Sequence, residues 1–136
     1  MYEKNLSVKP VDVAIAHHEE PIKNMTTAYL HINKDLVPGC PISIIWRWVL
    51  GMPKPAHYIP LHSHSSDEVV FRVGNDPSNP LELGAEALFT VGDEVIPMNK
   101  TSALYIPGGV PHGDVTYTRV DKPHLVMGIE LGGRYD

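Results

Sequence analysis

The segment LHSHSSDEVVF places His62 and His64 two residues apart and Glu68 four residues beyond His64. Side chains on an extended backbone alternate between faces, so both imidazoles project from the same side. Ser65, Ser66 and Asp67 supply a polar turn, and Glu68 opens the next apolar run, so its carboxylate folds back beside the two histidines. Two imidazoles and a carboxylate from one hairpin are donors for a divalent cation, and they leave positions open for another protein group and for water or substrate. A fourth donor stands in LYIPGGVPHGD, where a strand ends in Pro107-Gly108-Gly109 and His112 begins the next run. Glycine permits a sharp turn with positive φ, and proline fixes the approach to the histidine. Any one of these histidines alone would read as a hydrogen-bonded polar side chain; the spacing of the set favours a cation site.

Other reactive groups lack partners in the pattern. Neither a Gly-x-Ser-x-Gly elbow nor a Cys/His pair is present, so chemistry, if any, belongs at the metal. Cys40, between Gly39 and Pro41, reads as an inert loop thiol. His17 and His18 are adjacent and so point to opposite faces, the pattern of exposed residues. His57 and His124 read as structural.

The elements that must position these donors are short. Thirteen prolines and eleven glycines punctuate the apolar runs MTTAYLHI, SIIWRWVL, AHYIPLHSH, EVVFRV, GAEALFTV, EVIPM, SALYIP, DVTYTRV and PHLVMGIEL. Such spacing predicts an all-β sandwich or barrel, and closing the sheet removes its exposed edges. Residues 1–24 read as a polar N-terminal arm, and residues 25–136 as the barrel domain. In SIIWRWVL both faces are largely apolar, with Ile44, Trp46, Trp48 and Leu50 on one and Ile45, Arg47 and Val49 on the other. A barrel has one interior, so the outer face predicts a homodimer.

On these residues the sequence resembles the cupins. Their first motif appears as His62-Ser63-His64, three residues, Glu68, and their second as Pro107-Gly108-Gly109, Val110-Pro111, His112. The resemblance covers roughly residues 40 to 130 and departs from the motifs at Ala56, Gly74, Thr101 and Thr116, none of them at a ligand position. It implies a double-stranded β-helix, or jelly-roll barrel, with one divalent metal ion on His62, His64, Glu68 and His112. Such a ligand set suits iron, manganese, nickel, zinc or copper. It further implies a metalloenzyme acting on a small molecule by dioxygenation or isomerisation, with a non-catalytic binding or sensing module as the alternative.

Alternation along the strands extends the pocket. If His62 faces inward so does Tyr58, Glu68 brings Arg72, and His112 brings Thr116; a single bulge reverses such an assignment. Arg72 and Tyr58 would favour an anionic or hydroxylated ligand, unless Arg72 pairs with a surface carboxylate at its strand end. The net charge of −5 and the lack of a Lys/Arg cluster argue against nucleic acid. No apolar run is long enough for a membrane helix. One cysteine and no apolar leader in MYEKNLSVKP predict a cytoplasmic protein.

Overall fold

Residues 1–14 and 21–132 are described by the computed structural model, with His57 and Tyr58 described by backbone alone. His17 and His18 lie outside the described residues. The chain is almost all β: β1 (Val11–Asp12), β2 (Lys23–Met25), β3 (Tyr29–Ile32), β4 (Ile42–Lys54), β5 (His57–Tyr58), β6 (Glu68–Gly74), β7 (Glu82–Val91), β8 (Glu94–Lys100), β9 (Ser102–Ile106), β10 (His112–Val120) and β11 (His124–Leu131). Strict alternation of buried and partly buried residues along β6 and β7 shows that each turns one face inward.

Two antiparallel sheets result. One runs β1-β3-β4-β11-β6-β9, with β2 also on β4, and the other runs β5-β10-β7-β8. The key step is the insertion of β11 between β4 and β6, which brings together strands far apart in sequence. Between the sheets lies a core of Val49, Val70, Ala87, Phe89, Met98, Ile106, Val115 and Tyr117. Burying each larger member is worth about 1.5–3 kcal/mol, enough to hold the sheets face to face. Residues ahead of β3 also join: β1 pairs with β3, β2 pairs with β4, and Val13 is buried.

Layers on the inner face of the larger sheet follow from register. Ser43, Glu130 and Glu68 sit side by side on β4, β11 and β6; Ile45, Gly128 and Val70 form the next inward layer; Arg47, Val126 and Arg72 form the one after. Acidic and basic side chains are thus held four residues apart along β6, about 13 Å between Cα atoms at the usual rise.

The His62–His64 stretch is not the regular strand that its alternation predicts. β5 ends at Tyr58, Ile59 takes a φ of 61°, and His62 makes only an isolated bridge to His112. The pairing nevertheless anchors it, because His62 N–H donates to His112 O at 2.9 Å and His112 N–H to His62 O at 2.7 Å. No helix among the described residues is long and apolar enough to cross a membrane.

Candidate metal centre

Close backbone approach brings the two motif segments into register. Gly108 donates its N–H to Asp67 Oδ1 at 2.7 Å, and Gly109 N–H donates to His64 O at 2.8 Å. A Cβ on Gly108 would stand 2.2 Å from Ser65 O, so only glycine lets the turn lie against the HSH segment. The imidazoles then cluster, with ring centroids 4.5 Å apart for His62 and His112, 4.8 Å for His64 and His112, and 5.9 Å for His62 and His64.

One feature repeats at all three rings. His62 Nδ1 lies 2.8 Å from Pro60 O, His64 Nδ1 3.1 Å from Ser66 O, and His112 Nδ1 2.9 Å from Val110 O. A carbonyl accepts only, so each Nδ1 carries the hydrogen and donates, which leaves each Nε2 with its lone pair. His112 Nε2 is 3.1 Å from Glu68 Oε2, and His64 Nε2 is 3.6 Å from Glu68 Oε2 and 2.9 Å from Glu130 Oε1. Donor atoms of His62, His64 and His112 all fall within 4.8 Å of one another, as do those of His64, Glu68 and Glu130. His112 and Glu130 are buried and His62 is exposed, so the cluster closes on the protein side and opens outward. Glu68 Oε2 and His112 Nε2 are buried without a hydrogen bond. Lone pairs facing carboxylates across 3 to 4 Å repel unless a cation or proton lies between them, so the donor set fits a metal ion.

No family model and no curated protein matches the chain. Solved structures do. An RmlC-like cupin from Shewanella frigidimarina is 12% identical and aligns over 83% of this chain and 80% of its own at a TM-score of 0.50. A cupin-2 domain from Rhodospirillum rubrum is 15% identical over 96% of this chain and 70% of its own, at 0.53. Oxalate decarboxylase from Bacillus subtilis is 15% identical over 81% of this chain at 0.56, and this chain spans 26% of that enzyme. The chain has the cupin fold.

Within this fold the cluster sits at one end of a cavity of about 390 Å³ between the sheets, a size usual for small-molecule sites. His62, His64, Glu68 and His112, named from their spacing, all line it. Glu130 lines it too and was not expected. Its only signal in the sequence is an acid inside the apolar run of β11; that β11 pairs Glu130 with Glu68 is decided by long-range register.

The remaining pocket expectations divide. Arg72 faces the cavity and among the described residues pairs with no carboxylate: it is 1% exposed, donates to the Tyr117 hydroxyl and lies 3.5 Å from His124 Nε2. Tyr117 OH is also 3.1 Å from His124 Nε2. Burial first, then the charge of Arg72, pushes His124 down to about 3, so its ring is a neutral acceptor in this network. His124 is fully buried among partners that sequence alone does not reveal. Thr116 does not line the cavity. Gly113 at φ 120° and Asp114 at φ 52° shift the β10 register, so Val115 and Tyr117 turn inward instead. The side chain of Tyr58 lies outside the described residues.

Proposed function

We propose that the cluster holds one divalent metal ion through the Nε2 atoms of His62, His64 and His112 and the carboxylate of Glu68, and that the cupin acts on a small anionic or hydroxylated molecule. The observation that carries this reading is the shared hydrogen bonding of the three rings, each tied at Nδ1 by a backbone carbonyl two residues away. Such outer contacts set tautomer and ring direction in metal-binding histidines. Manganese(II), named for the Bacillus subtilis oxalate decarboxylase of the same fold, stands beside iron, nickel, zinc and copper as a candidate ion.

A bound ion would supply polarisation of a ligand oxygen or a redox centre, according to its identity, and so support dioxygenation or isomerisation. Glu68 and Glu130 offset its positive charge from the buried side. Glu130, whose Oε1 lies 2.9 Å from His64 Nε2, is a further carboxylate beside the ion and is placed to accept a proton from a ligand there. The exposed His62 marks the entrance.

Elemental analysis of protein from its native host tests the ion, followed by turnover screening of that metal form. Near-stoichiometric metal with turnover supports the enzyme, metal with ligand binding and no turnover makes the cupin a binding module, and absence of metal refutes the proposal. We also propose that a second copy covers the outer face of β4, where Leu50 is 52% exposed beside the half-buried Trp48. A monomeric mass at micromolar concentration counts against that dimer.

A further inference from the structure

We infer that the inner end of the cavity is an anion subsite, in which Arg47 and Arg72 receive the carboxylate of a small molecule. This deepens the proposed function by naming the substrate class, and it rests on that reading only in taking the cavity as the ligand site.

Two guanidinium groups share one layer of the inner face. Arg47 on β4 and Arg72 on β6 both pair with Val126 of β11, and both line the cavity. Arg47 donates from Nε and Nη2 to Thr26 O at 3.1 and 2.9 Å. Arg72 reaches the Tyr117 hydroxyl and the neutral His124, and its Nε is buried without a hydrogen bond. Every one of these partners is uncharged. Among the described residues neither arginine forms an ion pair, although Glu68 lies on the strand of Arg72 and Glu130 on the strand between the two arginines. Glu68 and Glu130 are held two layers away and face the histidines.

A charge taken out of water without a counter-charge is costly, and two in one layer repel each other. A planar carboxylate matches the guanidinium fork and would compensate both. Space for the rest of the molecule lies in the intervening layer. Ile45, Gly128 and Val70 of that layer also line the cavity, and a Cβ on Gly128 would meet Ile45 Cγ2 at 3.1 Å and Glu68 Oε1 at 3.4 Å, so the glycine lets those two side chains lie against β11.

Calorimetric titration of the full chain with pentanoate, and with pentanamide as its neutral counterpart, tests the inference on metal-free and zinc-loaded protein alike. Pentanoate is expected to bind both forms at least tenfold more tightly than pentanamide. Arg47→Gln and Arg72→Gln should each weaken pentanoate tenfold or more with zinc affinity unchanged, and Arg47→Lys should recover part of the loss. Should Arg72→Gln fail to fold, the part-buried Arg47 pair decides. Equal binding of acid and amide, no measurable pentanoate binding, or an Arg47→Gln protein that binds like the parent overturns the subsite. Zinc binding with any of those results removes the subsite and spares the metal centre. Arginine-dependent pentanoate binding in a protein that takes up no metal does the reverse.

Discussion

The two ends of the cavity carry opposite chemistry. At the mouth, three imidazoles and two carboxylates converge; at the inner end, two guanidinium groups share one layer and bond only to uncharged partners. The carboxylates stand on β6 and β11 and the arginines on β4 and β6, yet the rigid pleat keeps them from neutralising each other. Charge separation of this kind costs stability, and functional sites are where a fold retains such a cost. What differs is how each end is assembled. The mouth depends on two short turns docking against each other, whereas the inner end depends on sheet register alone.

The contrast breaks most readily at the mouth. His112→Ala should lower metal affinity by roughly a hundredfold or more while the barrel stays folded and pentanoate binding at the arginines persists. Equal metal content in variant and parent, measured by elemental analysis, would remove the distinction between the ends. Next in size is the turn. Gly108→Ala forces its new methyl toward Ser65 O and should cost about 2 kcal/mol or more by denaturant titration, with weaker metal binding. Gly109→Ala at φ 84°, with open space around its Cβ, should cost about 1 kcal/mol with metal affinity kept. Similar losses at both glycines would show that docking of the turn is not what sets the mouth.

A smaller effect sharpens the inner end. His124 is held down to about 3, below its unfolded value of ~6.5. Between those values the unfolded chain binds the extra proton, so this stability is fully present above ~6.5 and is lost as pH falls toward 3, at up to ~1.4 kcal/mol per pH unit. Urea titrations of the metal-free protein from pH 7 to 4 should show that slope, and His124→Gln should flatten it. An unchanged slope would mean that the ring is already charged beside Arg72. Least of all, Thr116→Ala should leave zinc and pentanoate affinity within a factor of two, because the β10 bulge turns it from the cavity. A larger change would restore the unbulged alternation.

Legibility followed range. The all-β class and the cupin resemblance were readable because alternation, Gly/Pro punctuation and the two motifs are local patterns. Grouping of His62, His64 and Glu68 was readable for the same reason, since that motif lies within a few residues, whereas the arrival of His112 beside them was implied by the resemblance and is made by a long-range bridge. Glu130 and Arg47 were not readable. Their place beside Glu68 and Arg72 depends on β11 entering between β4 and β6, and β4 is too apolar on both faces for alternation to reveal which one is interior. Thr116 went the other way because a local backbone twist at Gly113–Asp114 inverts the alternation downstream.

The insertion of β11 also sets the order in which the barrel is able to form. β4 and β6 each need β11 as a neighbour, but β11 comes after β7, β8, β9 and β10 along the chain. During synthesis both strands therefore wait with an unpaired edge while four later strands emerge, and the pairings that complete the larger sheet close long loops. Such distant pairing makes folding slow and leaves β4, with its apolar faces, open to intermolecular association in the interval.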